Sequence, residues 1–412
     1  MIMIDIAVIG AGPAGMMAAI QAASSKKEVL LFERNAALGR KILLTGKGRC
    51  NVTNAGAPGA FVEKFSSSGR FLKHAFYSFT SNDLTEFFES KGLALKIERQ
   101  SRVFPADDHA GSIVKALQSR LKSSGVQIKI HSRLKKTDRR RGVFQLSFHK
   151  GPLLSADKII LCCGGDSYRA TGSSGDGFRI AKTLGHTIQP LTPALVPLKT
   201  QEKWVKDLQG LTLKNCRITF THQKKRLVSP VGDMMFTHFG VSGPLILDLS
   251  GNIVSLLRET KQVTMLIDLK PGLSPEQIDR RLLRDIKEHG QKTFKNLLQD
   301  MLPKKMIQPF LNIARIDPDK KSCQITSSQR HQITTLLKAL PATIKGALAL
   351  EHAMVTNGGV STKEINPKTM ESRLVTGLYF AGEIIDGAAP SGGYNLQQAF
   401  ATGYLAGKAA GI

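Results

Sequence analysis

The sequence has 412 residues, 42% of them hydrophobic, and a formal net charge of +26, so it can bury two or three domain cores and its charge favours a polyanionic partner. It has no window of about 18 uninterrupted apolar residues and no signal-peptide pattern at its start, so we expect neither a membrane span nor export. The five cysteines are odd in number and lack a CxxC spacing, which argues against a disulfide framework or zinc ribbon and favours a cytoplasmic location.

The first 35 residues carry a dinucleotide-binding pattern. Ile4–Ile9 predicts a buried strand, GAGPAG starts at Gly10, and a helix and a second strand follow, ending at Glu33. The first glycine of the motif would allow a tight turn, the second the approach of a diphosphate, and the third close packing of the helix. The helix N-terminus would stabilise the diphosphate, and Glu33 would bind the ribose hydroxyls. We therefore predict a bound adenine dinucleotide, held by Gly10, Gly12, Pro13, Ala14, Gly15, Glu33 and Arg34.

The next loop, GRKILLTGKGRCNVTN, is rich in glycines and cations. Because it follows the Glu33 strand directly, we expect it to pass along the bound dinucleotide. Its glycines would permit close backbone approach, and its cations would bind phosphate. The cofactor residues predicted here are Arg40, Lys41, Gly46, Gly48, Arg49 and Asn51.

A further strand is predicted from Lys158 to Cys163, and a glycine turn at Gly164 follows it. This pattern is typical of a chain that returns to its nucleotide-binding sheet, so Gly164 is predicted to contact the cofactor. Cys162 and Cys163 lie in the apolar strand and are interpreted as core residues, with a vicinal disulfide as the alternative.

Between residues 194 and 332 the pattern changes to alternating apolar stretches and then to amphipathic helices, which predicts an inserted domain. Within it, GDMMFTHFGVSGP has the composition of a rigid loop and carries His238. Histidine exchanges protons near neutral pH, so His238 is a candidate general acid. A structural histidine that caps a turn is the alternative.

Near the C-terminal end, GLYFAGEIIDGAAPSGGYNLQQA predicts a strand, an acidic loop, a glycine turn and a helix. In flavoproteins such a return completes the nucleotide-binding domain, and the helix N-terminus stabilises negative charge on the reduced flavin. FAD is therefore favoured over NAD as the tightly bound cofactor, with a simple surface helix as the alternative. The residues assigned to FAD here are Gly382, Glu383, Asp386, Gly392, Gly393, Tyr394, Asn395 and Leu396.

Together these elements predict an α/β fold. Both chain ends would build a Rossmann-like FAD-binding domain, interrupted by a β-barrel-like and helical insert. The predicted boundaries are 1–193 and 333–412 for the FAD-binding domain and 194–332 for the insert. No metal site is expected, and the oligomeric state is left open.

Five motifs occur in order over nearly the whole chain: GAGPAG, GRKILLTGKGRCNVTN, GDMMFTHFGVSGP, VTNGGVSTKEINPKTMES and GLYFAGEIIDGAAPSGGYNLQQA. With them the sequence resembles the BaiN/RdsA family of FAD-dependent oxidoreductases. The resemblance implies one FAD, reduced by NAD(P)H, and reduction of an activated carbon–carbon double bond. The substrate is a ribosomal RNA uridine in one branch of the family and an unsaturated oxo-steroid in another. In this chemistry Cys50 is a candidate proton donor, because we expect a thiol near a basic loop to be ionisable in the useful pH range. A packing role is the alternative.

Positive charge is concentrated away from the C-terminal end. Residues 1–193 carry 29 basic and 14 acidic side chains, residues 194–332 carry 23 and 13, and the remainder carry 6 and 5. A hydrophobic steroid requires no such excess, whereas RNA binding gains from each phosphate neutralised. We therefore favour reduction of a 23S ribosomal RNA uridine to dihydrouridine. A small-molecule ene reductase, a non-catalytic flavin-containing RNA-binding or assembly factor, and a merely solvated basic surface remain as alternatives.

Overall fold

The computed structural model describes residues 2–65 and 68–412, and they divide into two units. Unit 1 combines the chain up to Ala194 with Leu350–Ile412, and unit 2 is Leu195–Ala349. Each unit has its own hydrophobic core. No helix among the described residues is long and apolar enough to cross a membrane.

Among its described residues, the first segment of unit 1 has ten strands and six α-helices. The strands are β1 (Ile2–Ile9), β2 (Val29–Phe32), β3 (Thr53–Asn54), β4 (Leu95–Glu98), β5 (Arg102–Pro105), β6 (Gln127–Lys129), β7 (Leu134–Arg140), β8 (Val143–Phe148), β9 (Leu154–Leu161) and β10 (Ile188–Ala194). The helices are α1 (Pro13–Ala23), α2 (Pro58–Lys64), α3 (Gly69–Ser78), α4 (Ser81–Glu89), α5 (Ala110–Ser123) and α6 (Asp176–Thr183).

Unit 2 contains seven strands and six helices, after which the chain returns to unit 1. The strands of unit 2 are β11 (Leu198–Thr200), β12 (Thr212–His222), β13 (Lys225–Val228), β14 (Gly232–Thr237), β15 (Gly240–Ser242), β16 (Val263–Asp268) and β17 (Leu340–Ala347). Its helices are α7 (Trp204–Asp207), α8 (Pro244–Glu259), α9 (Pro275–His289), α10 (Phe294–Leu297), α11 (Lys304–Ala314) and α12 (Ser327–Lys338). The returning elements are β18 (Val355–Val360), β19 (Leu378–Phe380) and α13 (Tyr394–Gly411).

The main sheet of unit 1 has the strand order β6-β2-β1-β9-β8-β7, and β19 pairs in parallel with the second half of β9. Strands β6, β2, β1, β9 and β19 run parallel, whereas β8 and β7 are antiparallel additions. The apolar residues 6–9 of β1 are buried because a parallel sheet is covered on both faces. Helices α1 and α13 pack closely, since a Cβ on Gly403 would lie 2.4 Å from the Ala14 carbonyl oxygen.

In unit 2 the strands β12-β14-β15-β11-β17-β16 form an antiparallel sheet that closes through β16 and β12, and β13 extends β12. Helices α9 to α12 share the core of this barrel. Helix α9 begins with a capping box between Ser274 and Gln277.

Two sequence expectations about unit 2 are corrected by these elements. The boundary at 332/333 is wrong, because β17 pairs with both β11 and β16, so unit 2 continues to Ala349. The expected rigid loop around His238 is instead a hairpin of β14 and β15 followed by α8. Its alternating burial is a strand pattern that the glycines of the segment obscure.

Candidate cofactor and active site

A large cavity lies in unit 1, at the carboxyl ends of β1, β2 and β9. Its empty volume is about 1260 Å³ when the open solvent at its mouth is included. The starts of α1 and α13 complete its wall. Ligands in open α/β sheets bind at this edge, so the position alone makes the cavity the candidate site.

The glycine turn after β1 forms one wall of the cavity. Gly12 is the N-cap of α1, and no described side chain caps this helix end. A Cβ on Gly15 would lie 1.8 Å from the Gly10 carbonyl oxygen, so only glycine lets the helix pack against its own turn. Gly10, Gly12, Pro13 and Ala14 line the cavity, whereas Gly15 lies behind them. The first N–H groups of α1 are thus left for an anion.

Glu33, at the end of β2, is buried and lines the cavity. Its Oε2 accepts a hydrogen bond from the Ala11 N–H at 2.9 Å. Its Oε1 accepts from the backbone N–H of Asn35 at 2.8 Å and from the Asn35 amide at 2.7 Å. Arg40 then donates to Asn35 Oδ1 at 3.1 Å. The carboxylate therefore joins the ends of β1 and β2 and is already oriented by two chain segments.

A second charged group at this end is centred on Asp176. Arg34 lies 3.1 Å from its Oδ2, Arg133 donates from Nε at 2.7 Å, and Arg179 lies 3.3 Å from its Oδ1. Burial would raise the pKa of Asp176, but hydrogen bonds and charge from these arginines hold that pKa below its usual value. Three cations around one carboxylate leave an excess of positive charge beside the cavity.

The C-terminal return is fixed to the loop after β2 by an ion pair. Lys41 Nζ lies 2.7 Å from Glu383 Oε2 and donates to Ser167 Oγ at 2.8 Å. Glu383 Oε1 accepts from the Thr356 N–H at 2.8 Å. Lys41, Glu383 and the neighbouring Gly382 and Gly164 all line the cavity. Residues more than 300 positions apart thus form one wall.

Helix α13 presents its N-terminus to the cavity through Asn395 and Leu396. Its N-cap, Gly393, has a φ of 91°, and a Cβ there would lie 2.3 Å from the Thr53 carbonyl group, so glycine is required at this close approach. Asn395 Oδ1 accepts from the Ala389 N–H at 2.9 Å and so holds the preceding loop. No side chain in the described residues caps this helix end, which leaves its N–H groups available.

Gln398, one turn into α13, is a site residue that the sequence did not single out. It is 2% exposed and lines the cavity, and its Nε2 has no hydrogen-bond partner among the described residues. A buried amide donor without an acceptor costs about 1–3 kcal/mol, so a ligand acceptor is expected there. The neighbouring Gln397 is not a candidate for cofactor binding, because its side chain is already hydrogen-bonded to Thr53 and to the Phe79 carbonyl.

Comparison with known proteins fits this architecture. Residues 4–409 match the model of the HI0933-like protein Rossmann domain. The chain belongs to this HI0933-like family. The family resemblance predicted from the sequence is thereby confirmed, because this match covers nearly the entire chain. The full-length relatives of the chain include a bile-acid reductase and a ribosomal RNA dihydrouridine synthase, the two branches named above.

Two full-length relatives of this HI0933-like chain carry different names. It is 32% identical to the 3-dehydro-bile acid delta(4,6)-reductase of Clostridium scindens, over 98% of each chain. It is 30% identical to the ribosomal RNA dihydrouridine synthase of Escherichia coli, over 97% of this chain and 96% of the relative.

Solved structures share the fold of the HI0933-like chain. The 3-ketosteroid delta1-dehydrogenase of Sterolibacterium denitrificans superposes with a TM-score of 0.55 at 12% identity, with both chains fully covered. Quinol fumarate reductase FrdA of E. coli gives 0.52 at 16% identity, covering 99% of this chain and 70% of the other. At these identities the likeness concerns the fold alone. This likeness confirms the predicted α/β fold, in which a Rossmann-like domain carries a sheet-rich insert.

Several residues assigned to the cofactor do not line the cavity. Among the described residues they are Gly46, Gly48, Arg49, Asn51, Asp386, Gly392, Gly393 and Tyr394, in addition to Gly15. The expectation that Arg49 meets phosphate is wrong in this structure, because its guanidinium binds Glu98 and lies 2.8 Å from Asp108 Oδ1. It also stacks 4.1 Å from the Phe104 ring centroid.

Three of these residues that lie outside the cavity wall have the following surroundings. Tyr394 packs edge-on against Phe61, with ring centroids 5.2 Å apart. Burial raises the pKa of the half-buried Asp386. Asn51 Oδ1 is buried without a partner among the described residues, although it is not part of the cavity wall.

Cys50 is fully buried, and burial raises the pKa of its thiol to about 12. The expectation that a basic loop makes this thiol ionisable near neutral pH is therefore wrong. The cations of the loop do not offset the loss of solvation. Cys50 contacts Thr45, whose side chain donates to the Ile42 carbonyl at 2.6 Å and which lines the cavity, whereas Cys50 itself does not.

The remaining assignments are placed as follows. His238 lies exposed in the turn between β14 and β15 of unit 2, with its ring 4.8 Å from that of Phe239. Cys162 and Cys163 are free thiols, and Cys163 Sγ donates to the Ile9 carbonyl at 3.6 Å. Within residues 2–65 and 68–412, no cluster of three His, Cys, Asp or Glu side chains could hold a metal ion.

Proposed function

We propose that this protein is an FAD-dependent oxidoreductase that uses NAD(P)H to reduce an activated carbon–carbon double bond. The observation that carries the proposal is the unit 1 cavity, which combines two uncapped helix N-termini, the Glu33 carboxylate and the unpaired amide of Gln398. The full-length similarity to a bile-acid reductase and to a dihydrouridine synthase supports the same type of reaction.

The residues of the cavity fit FAD. Gly12 has open space where a side chain would stand, so the N–H groups of α1 can bind a diphosphate. Glu33 can accept hydrogen bonds from ribose hydroxyls. The unpaired Nε2 of Gln398 requires an acceptor, and a flavin nucleotide offers phosphate, ribityl and ring-carbonyl oxygens.

Bound FAD would supply the hydride for the reaction. The protein would supply position and electrostatics: the positive end of the α13 dipole faces the cavity, where it would stabilise negative charge on a bound ligand. The Lys41–Glu383 pair would keep the segment after β19 and the loop after β2 in a fixed relation.

A double-bond reduction also needs a proton at the second carbon, and Cys50 and His238 are our proposed sources. Cys50 keeps its proton throughout the neutral range, since its pKa is about 12. It contacts Thr45, which lines the cavity, so the route that we propose for its proton is through the Thr45 hydroxyl. The second proposed source, His238, is exposed and belongs to unit 2.

The proposed substrate is a uridine of 23S ribosomal RNA, reduced to dihydrouridine in the cytoplasm. The net charge of +26 supports it, because each neutralised phosphate adds affinity, and so does the similarity to the E. coli enzyme. The second candidate is a small unsaturated oxo-compound, supported by the similarity to the C. scindens reductase at 32% identity.

The test is to delete the gene and measure dihydrouridine in 23S ribosomal RNA by nucleoside mass spectrometry. We expect the loss of one dihydrouridine, restored by the wild-type gene. Unchanged dihydrouridine together with NAD(P)H oxidation on addition of an unsaturated oxo-steroid would establish the small-molecule reductase instead. RNA binding without either reaction would establish a non-catalytic factor.

A further inference from the structure

Three separate segments of unit 2 meet at one end of its barrel. Strands β12 and β16 pair up to Thr221 and Thr264, and β16 and β17 pair at Val263 and Ile344, so the residues beyond these pairs are neighbours. Lys225 Nζ lies 3.1 Å from Glu259 Oε2, which joins the β12–β13 turn to the end of α8. A shallow depression is lined by residues 257–261 together with 345–347. This end of the barrel is therefore a single surface.

The surface is strongly basic. We name its exposed cations the barrel-end cluster: Lys224, Lys225, Arg226, Arg258, Lys261 and Lys345. In segments 222–228, 254–262 and 345–347, Glu259 is the one acidic residue. Its ion pair with Lys225 is highly exposed and contributes little to stability. Six like charges gathered from three segments repel one another, so the fold does not explain their proximity.

The cations of this cluster are also available to a ligand. Within the described residues, only Lys225 of the six forms an ion pair. The basic run on β7 differs, because Arg140 pairs with Asp138 at 2.8 Å and Arg139 lies 5.5 Å from the Phe144 ring centroid. Strand β7 is moreover the edge of its sheet, where charged side chains prevent strands of other molecules from adding. The same explanation applies to Lys225 and Arg226, which lie on the edge strand β13. It does not apply to Arg258, Lys261 and Lys345, which come from the other two segments.

We propose that the barrel-end cluster binds the phosphate backbone of single-stranded RNA. The inference rests on the proposed RNA substrate and adds the surface that holds it. An unpaired strand suits the chemistry, since a uridine must leave its stack to be reduced. Exposed lysines and arginines at this end of the barrel would contact phosphates without reading bases, so binding would depend strongly on salt and weakly on sequence.

The test compares two variants of the full-length protein, each lacking four positive charges. The cluster variant carries Lys224→Gln, Lys225→Gln, Lys261→Gln and Lys345→Gln. The control variant carries Lys135→Gln, Lys136→Gln, Arg140→Gln and Arg141→Gln, on and beside the exposed β7. Binding of fluorescent polyuridylate is measured by anisotropy between about 50 and 200 mM salt. Far-UV circular dichroism and thermal melting establish that both variants are folded.

We expect the cluster variant to bind more weakly, with the slope of log K against log salt reduced by about 3, and the control to stay close to wild type. Equal losses in both variants would overturn the proposal, because they would reflect net charge alone. Binding of the cluster to phosphatidylserine vesicles with no affinity for polyuridylate would also overturn it.

The same variants distinguish this proposal from the function on which it rests. If wild type binds polyuridylate through the cluster while gene deletion leaves ribosomal dihydrouridine unchanged, the surface stands and the proposed substrate fails. If dihydrouridine is lost on deletion but the cluster variant restores it at the wild-type rate and binds RNA normally, the surface fails and the substrate stands.

Discussion

At the scale of single residues, Gln398 and Gln397 form a natural contrast. Both are buried neighbours on α13, but only Gln397 has its side chain fully paired within the protein. We expect Gln398→Leu to weaken FAD binding about three- to tenfold, which corresponds to one hydrogen bond. The FAD-free protein should be at least as stable as wild type, because the substitution removes a buried donor that has no acceptor. Gln397→Leu should instead lower the stability of the FAD-free protein, because it leaves the buried Thr53 hydroxyl and Phe79 carbonyl without hydrogen-bond partners.

The measurements are FAD titration by fluorescence quenching and thermal melting of the FAD-free forms. A Gln398→Leu protein with wild-type FAD affinity would contradict the assignment of its amide to the cofactor. The flavin absorption spectrum provides a readout that does not depend on turnover.

Cys50 leads to a prediction about pH. Its folded pKa of about 12 lies above the ordinary value of 9.0, so the unfolded chain loses this proton first as pH rises. The stability due to its neutral thiol is present below about pH 9 and is lost between about pH 9 and 12. We expect Cys50→Ala to show a smaller fall in urea midpoint from pH 8 to 10 than wild type does.

Cys50→Ala also tests the proposed proton route, when reductase activity is measured on protein that has retained its FAD. Cys50→Ala and Thr45→Val should retain FAD and lose reductase activity if the proton passes from Cys50 through Thr45. Full activity in either variant with FAD bound would exclude that route, and His238→Ala then tests the second candidate.

At the scale of elements, the contact between α13 and β3 depends on Gly393. A side chain at this position would clash with the Thr53 carbonyl group, and the backbone φ of 91° would also be strained. Gly185 has a similar φ of 93°, but open space surrounds it. We expect Gly185→Ala to cost about 1–2 kcal/mol of stability from backbone strain alone. Gly393→Ala should cost more and also impair FAD binding, since α13 must move. If the two substitutions had equal effects on urea unfolding and on FAD titration, the close approach of Gly393 to Thr53 would be unimportant.

Local patterns made some elements predictable and left others hidden. The strand–glycine–helix pattern around Gly10 lies within a few dozen adjacent residues, so the sequence predicts α1 and its role directly. The fate of Arg49 depends on Glu98 and Asp108, about 50 residues away, and no local pattern reports such a pairing. Burial of Cys50 is likewise a property of packing, which the polar composition of its loop conceals.

At the scale of the whole molecule, the boundary of unit 2 is itself testable. Strand β17 completes the barrel by pairing with β11 and β16, and unit 2 has its own core. We expect a fragment of residues 195–349 to fold cooperatively, and one of residues 195–332 to lack a cooperative transition because the barrel cannot close. Circular dichroism melting and dispersed amide NMR signals measure the difference. A folded 195–332 fragment would contradict the assignment of β17.

The domain arrangement was predictable in outline because both chain ends carry nucleotide-binding patterns, while the insert between them changes its periodicity. The exact end of the insert was not predictable from the sequence, because β17 belongs to the insert only through its pairing with strands that are distant in the chain. The barrel-end cluster was equally hidden, because its cations come from three segments that are adjacent only in the folded barrel.

The pairing of α1 with α13 has a consequence for how the molecule is made. Helix α1 is synthesised long before α13, which begins at Tyr394, and is buried along its length against that helix. At about 5–20 residues per second, α1 waits some tens of seconds for that partner, with its small apolar face uncovered. A nascent chain therefore cannot complete the cavity wall until the insert has been translated, and cofactor loading becomes a late step of maturation.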